Sequence, residues 1–230
     1  MTFFHESSAL FWHTGEGAAW ISKAVATANV PQIGAHVWFI HDAHLQDLGG
    51  LVSEAELLRA HEMLPASKAR EFLFARATLR QLLAVYIQTL PPREICIAMT
   101  EHGKPYLPDH PALKFNLSHS HGALALAFSK CEVGIDIEKL RPVPDWQDLA
   151  TGILSAKARV YIAREPPTKQ GAAFLQAFTA REALLKAAGT GFSSLDFPSA
   201  FMQHSNAAGI EFLAELPPLT GFTGHVCVLN

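Results

Sequence analysis

The chain predicts an α+β fold. Two long stretches, 66–90 and 171–188, repeat apolar residues at helical spacing. Short runs rich in β-branched and aromatic residues, or alternating apolar and polar, flank each of them. The order is strand, helix, strand, then strand, strand, helix, strands. That order lacks the regular βα alternation of a parallel sheet.

Residues 1–33 form an N-terminal extension to which the residues assign no role. Within it Trp20 to Ala28 has some helical character, ended by Pro31. His36 to Ile40 reads as a short buried strand. Ser53 to Met63 reads as a helix, with Ser53 as N-cap and Glu56 completing a capping box. In the helix from Ala66 to Leu90, Phe72, Leu79, Leu83, Tyr86, Ile87 and Leu90 mark the apolar face, and Pro91-Pro92 stops it. Ile95 to Thr100 is a strand, residues 103–111 a Pro-rich loop, and Leu113 to Leu117 a strand that runs into a polar turn at Ser118 to Gly122. Ala123 to Phe128 and Val133 to Ile137 predict a β-hairpin. Gln147 to Ile162 contains helical segments and Pro166-Pro167 a loop. Gly171 to Ala188 is the second long helix, ended by Gly189 and Gly191. Phe197 to Asn230 alternates enough for two or three strands. The stretch Ser118 to Gly122 is polar and short-chained.

The 230 residues are 49% hydrophobic and 17% charged, enough for one large core or two modest ones. A net charge of −3 gives no global reason to expect nucleic acid as a partner. Cys96, Cys131 and Cys227 are odd in number and widely spaced, which suits buried thiols in a reducing cytoplasm and neither a disulfide framework nor a zinc site. No secretory leader and no membrane span are expected.

The chemistry concentrates in two segments. Gly134-Ile135-Asp136-Ile137-Glu138 alternates, so Asp136 and Glu138 share one strand face. Two carboxylates on one face repel unless a cation lies between them. Downstream, Glu182 and Lys186 are one helical turn apart. On a solvated helix that pair contributes only about 0.3–0.5 kcal/mol. Here Ala183, Leu184, Leu185, Ala187 and Ala188 make the helix mostly apolar, so its charges need partners inside the protein. Three carboxylates meeting at one point suit Mg2+, which fills its octahedron with waters and substrate phosphates. A lysine beside the third acid could meet such a phosphate.

Other polar residues are weaker signals alone. His119 and His121 in a polar turn are a poor metal pair with no cysteine near. Lys104 in a loop is ordinarily solvated. Arg59, Lys68, Arg70, Arg76 and Arg80 form the densest basic stretch, diluted by Glu56, Glu62 and Glu71. Asn116 braces the polar turn, and Arg76 and Arg80 can serve structural pairing.

Together, Gly103-Lys104-Pro105, Phe115-Asn116-Leu117-Ser118-His119-Ser120, Gly134-Ile135-Asp136-Ile137-Glu138 and Arg181-Glu182 with Lys186 and Gly189 resemble the 4'-phosphopantetheinyl transferases, in particular the larger single-chain type that activates nonribosomal peptide and polyketide synthetases. The resemblance runs from about Ser53 to Gly191. It implies transfer of the phosphopantetheine arm of coenzyme A to a serine of an acyl, peptidyl or aryl carrier protein, with release of 3',5'-ADP. It implies that Asp136, Glu138 and Glu182 bind Mg2+, that Lys186 lies near the reacting phosphate, and that Lys104, Ser118 and His119 contact coenzyme A. Arg59, and Arg70 near a second position, match basic residues that meet the 3'-phosphate. It implies two similar α+β lobes with pseudo-twofold symmetry, each a small, mostly antiparallel sheet on a long helix, here an N-terminal lobe at 34–120 and a C-terminal lobe with the metal site at 121–230, for which a boundary near 118–122 fits, and hence a monomer, expected to be cytoplasmic. Two positions depart from the family pattern, Phe178 in place of Trp and Arg181 in place of Lys. Either Glu182 or a metal-bound water could take the serine proton. The competing reading is a metal-dependent phosphodiesterase acting on coenzyme A or a related nucleotide.

Overall fold

A computed structural model describes residues 10–15, 34–41, 50–189, 210–217 and 219–230. Most of the expected N-terminal extension, including its helical stretch at 20–28, lies outside the described residues, as do Gly191 and the start of the tail. The part of the extension that is described, β1 (Leu10–Gly15), is a strand parallel to β2 (Ala35–His41).

The architecture is α+β in four layers. The first layer is α2 (Ala66–Ile87), preceded by α1 (Glu54–His61). The second is a four-stranded sheet in the order β1-β2-β6-β5, with β5 at Lys114–Ser120 and β6 at Ala123–Ser129. The third is a three-stranded antiparallel sheet, β7 (Glu132–Lys139), β9 (Phe222–Leu229) and β8 (Ile210–Glu215), in the order β7-β9-β8. The fourth is α5 (Pro167–Ala188), with the short helices α3 (Trp146–Ala150) and α4 (Ala156–Arg164) packed against its first half. A two-residue pairing of β3 (Ala98–Met99) with β4 (Pro105–Tyr106) completes the described strands.

The sequence of β6, Ala-Leu-Ala-Leu-Ala-Phe-Ser, shows how the layers fit. Leu124, Leu126 and Phe128 point to the α2 side and pack with Leu79, Leu82, Leu83 and Trp38. Ala123, Ala125 and Ala127 point the other way, toward Val133, Ile135, Ile137 and Val226 of the second sheet. Both faces are covered, so the strand is apolar throughout, and alanines on one face let the sheets approach closely. This placement corrects the expected hairpin: β6 pairs with β5 and β2, whereas β7 pairs with β9. The expected division at residue 120 therefore falls inside the β5–β6 hairpin, and the chain crosses to the second sheet after Ser129.

Local rules account for the helix ends. Ser53 caps α1 with the capping box present, Glu56 returning its carboxylate to the Ser53 N–H at 2.9 Å. Helix α2 stops at Ile87, three residues before the expected end, because Gln88 adopts a left-handed cap. Helix α5 starts at Pro167, earlier than expected, since proline suits a first helical turn. The strand expected over 95–100 shortens to Ala98–Met99.

Strand β5 is longer than the sequence suggests. Ser118, His119 and Ser120 are strand residues, and the turn is His121-Gly122, both at positive φ. Edge strand β5 lies beside edge strand β7, yet among the described residues no main-chain ladder joins them. Side chains replace it. Asn116 Oδ1 accepts the Ile135 N–H at 3.2 Å, Ser118 Oγ the Ile137 N–H at 3.3 Å, and Ser120 Oγ the Lys139 N–H at 3.2 Å. These alternate residues on one face of β5 satisfy β7 amides that would otherwise be buried without partners.

Candidate active site

Helix α5 lies directly on β7 because residue 134 is glycine. A Cβ there would come within 2.0 Å of Ala183 O and 2.3 Å of Ala187 N. That close approach brings Lys186 to Asp136. The Lys186 ammonium donates to Asp136 Oδ1 at 2.6 Å and to Ile135 O at 3.2 Å. Ser118 Oγ donates to the same Oδ1 at 2.8 Å, while Asp136 Oδ2 is buried with no partner. Glu182 sits one turn before Lys186, 9% exposed. Burial raises its carboxyl pKa above the ordinary value and the charge of Asp136 raises it further, opposed by Lys186 and Arg181. Arg181 holds Glu182 Oε1 at 3.3 Å. Glu138 is half-buried and accepts from Ser120 Oγ at 2.9 Å.

Beside these residues opens a cavity of about 640 Å3, walled by α2, the β3–β4 loop, β5 and α5. Glu182 and Lys186 line it from α5, and Arg59 from α1 and Lys68, Glu71 and Arg76 from α2. With Lys104, its lysines and arginines outnumber its two glutamates and give it a cationic character. Arg59 and Arg76 both lie over the Phe72 ring, 5.3 and 5.8 Å from its centroid. Arg76 is further fixed by Glu56 at 2.9 Å, and Glu56 in turn by Arg80 at 2.6 Å. Burial would raise the Glu56 pKa, but the hydrogen bonds from Arg80 and Ser53 and the charges of Arg80 and Arg76 hold it below the ordinary value. Arg80 also donates to Pro92 O and Ile95 O, each at 2.8 Å.

The expected site residues separate on this geometry. Arg59, Lys104, His119, Glu182 and Lys186 all line the cavity. Arg70 is exposed and does not, because two positions before Phe72 it falls nearly on the other side of α2 from that cavity-lining ring. Ser118 is buried, and its hydroxyl is taken up by Asp136 and the Ile137 N–H rather than facing the cavity. Lys104 donates to Glu132 at 2.5 Å and to Ala187 O at 2.6 Å, so it also clamps the end of α5. Arg76, read from sequence as structural, lines the cavity as well as pairing with Glu56. Its placement four residues from Phe72 on one helix face was the available signal.

The donor set fits a hard divalent cation of a particular kind. Among the described residues no three acidic, His or Cys side chains enclose a metal. Mg2+, however, needs only one or two carboxylates, the rest of its shell being waters and phosphates. The orphaned Asp136 Oδ2 and the mutual repulsion of Asp136 and Glu182 suit an added cation, a need that the Lys186 ammonium at Oδ1 meets only in part.

Comparison with known proteins agrees with the residues. The model of the 4'-phosphopantetheinyl transferase superfamily matches residues 132–224, spanning β7 to β9. The 4'-phosphopantetheinyl transferase HetI of Nostoc sp. is 33% identical over 169 residues, 70% of this chain and 71% of that protein. The 4'-phosphopantetheinyl transferase AcpT of Salmonella typhi is 38% identical over 111 residues, 48% of this chain and 56% of its own. A 4'-phosphopantetheinyl transferase of Bacillus subtilis is 34% identical over 104 residues, covering 45% of this chain and 46% of its own. With an acidic strand, a Glu-Lys helix packed on it through Gly134 and a cationic cavity alongside, this chain belongs to the 4'-phosphopantetheinyl transferase superfamily.

Proposed function

We propose that the chain transfers the 4'-phosphopantetheine arm of coenzyme A to a serine of an acyl, peptidyl or aryl carrier protein, releasing 3',5'-ADP. The observation that carries this reading is a cavity lined by Glu182 and Lys186 from α5 and by Arg59, Lys68 and Arg76 from α1 and α2. A phosphate-rich ligand with a second anionic group at a distance matches that division of charge. The 3'-phosphate of coenzyme A would meet Arg59 and Arg76, with His119 and Lys104 along its path and the pyrophosphate beside Lys186.

Asp136 and Glu182 would hold Mg2+, and Glu138, on the same strand face as Asp136, would join them. When bound, the ion neutralises the pyrophosphate and orients its phosphorus for in-line attack. The serine oxygen forms the new P–O bond, the bond to 3',5'-ADP breaks, and Glu182 takes the serine proton. Lys186 would turn from Asp136 to the charge building on the phosphate. Positioning and electrostatics supply most of the rate in such transfers.

In this reading the two sheet-and-helix halves act as lobes, related by an approximate twofold, that close on one coenzyme A, and the protein works as a cytoplasmic monomer. Among the described residues no helix is long and apolar enough to cross a membrane. The test is the intact mass of a panel of apo carrier proteins after incubation with coenzyme A and Mg2+. A gain of roughly 340 Da, one phosphopantetheine, is expected, since the transferred group is a cofactor arm of known mass. Release of free phosphopantetheine with no gain on any carrier would assign a hydrolase instead.

A further inference from the structure

The three side-chain rungs between β5 and β7 are not alike. Each accepts the N–H of one β7 residue, namely Ile135, Ile137 and Lys139. The residue before each of these on β7 is Gly134, Asp136 and Glu138 in turn. The rung that follows glycine is Asn116, whose amide oxygen only accepts. The two rungs that follow an acid are Ser118 and Ser120, whose hydroxyls accept the N–H and also donate to that acid, at 2.8 Å to Asp136 Oδ1 and 2.9 Å to Glu138 Oε2. A hydroxyl has one proton and two lone pairs, so it can do both at once. The residue type therefore tracks the presence of a carboxylate.

A carboxylate only accepts, so each hydroxyl gives its proton to the acid while the main-chain N–H takes a lone pair. Ser120 Oγ also lies 3.1 Å from His121 Nδ1, which serves as a further donor to it when that nitrogen carries the proton. At Asp136 both donors, Ser118 and Lys186, crowd onto Oδ1. Oδ2 is left as the buried oxygen without a partner.

We infer that Ser118 and Ser120 are positioning residues. Each hydroxyl is braced by the β7 main chain and holds one oxygen of Asp136 or Glu138, so that the other is presented to a divalent cation. This assignment rests on the metal reading above and gives both serines a role through the acids they hold. Hydrogen-bond partners that orient ligating carboxylates commonly change metal affinity 10–100-fold when removed.

The test is a titration of the full-length protein with Mn2+ in the presence of coenzyme A, read as free Mn2+ by electron paramagnetic resonance, together with thermal unfolding. Ser118→Ala and Ser120→Ala should each raise the Mn2+ Kd by about tenfold or more. Asn116→Ala loses a rung of the same kind and should lower the melting temperature comparably, yet leave the Mn2+ Kd within about twofold, because no carboxylate hangs from it. Ser118→Thr and Ser120→Thr keep the hydroxyl and should restore affinity, which keeps the test decisive if an alanine variant does not fold. Equal Mn2+ affinity in the parent and the serine variants, or equal loss in all three alanine variants, would overturn the assignment and leave the metal reading intact. A parent protein that binds no Mn2+ would overturn both.

Discussion

Replacing Gly134 by alanine tests whether the contact of β7 with α5 builds the active site. The added Cβ would lie 2.0 Å from Ala183 O, 2.3 Å from Ala187 N and 2.9 Å from Lys186 C. All three are main-chain atoms, so no rotamer change relieves the clash. Opening the shortest contact from 2.0 Å to the 3.4 Å of ordinary packing moves α5 about 1.4 Å from the strand. The helix carries Glu182 and Lys186 with it, and the 2.6 Å contact between Lys186 and Asp136 opens. Overpacking of this kind costs about 3 kcal/mol, the upper end of the usual range. A misplacement of about 1 Å at a reacting centre can cost on the order of 100-fold in rate. Urea unfolding and single-turnover modification of an apo carrier protein measure the two effects separately. Gly50→Ala is the control, because nothing lies within 4 Å of a Cβ at that position. A Gly134→Ala protein within about 0.5 kcal/mol of the parent and equally fast would refute the argument that this glycine sets the helix–strand distance.

Lys186→Ala should lower the single-turnover rate by about 100-fold while coenzyme A affinity changes far less, because a lysine aimed at the reacting phosphate meets more charge in the transition state. A collapse of affinity with an unchanged rate at saturating ligand would make it a plain binding residue. Dephospho-coenzyme A should bind about 1.5–3 kcal/mol more weakly than coenzyme A in calorimetry, since it cannot engage Arg59 and Arg76. Equal affinities would remove the 3'-phosphate from that part of the cavity. Burial pushes the His225 pKa from 6.5 to about 4, with Thr179 Oγ1 2.9 Å from its Nδ1. The unfolded chain therefore takes up the proton first, and His225 costs stability as pH falls below 6.5 and none above it. Between pH 6 and 5 the parent should lose about 1.4 kcal/mol per pH unit relative to His225→Gln, read as the difference in urea unfolding so that Glu56, Glu132 and Glu182 cancel. Parallel pH profiles for the two proteins would show that His225 titrates normally.

The residues that were legible in the sequence are those whose partners lie within a few positions. Ser53 and Glu56 announce their capping box at a spacing of three, and the structure contains it. The alternation of Asp136 and Glu138 placed two acids on one strand face, and the mostly apolar stretch around Glu182 placed that helix inside the protein. Residues misread from sequence have partners far away. Ser118, His119 and Ser120 read as a turn because short polar residues favour turns. They are instead strand, since the serines answer main-chain amides 19 residues away on β7. The same rule hid Arg76, which is held by Glu56 from another helix. It also made β6 and β7 look like a hairpin, because two adjacent apolar runs say nothing about which sheet each joins. A polar strand is the natural solution where two sheet edges meet without a common ladder. Main-chain amides there need acceptors that only side chains can supply, and the side chains that supply them can hold catalytic acids with the proton left over.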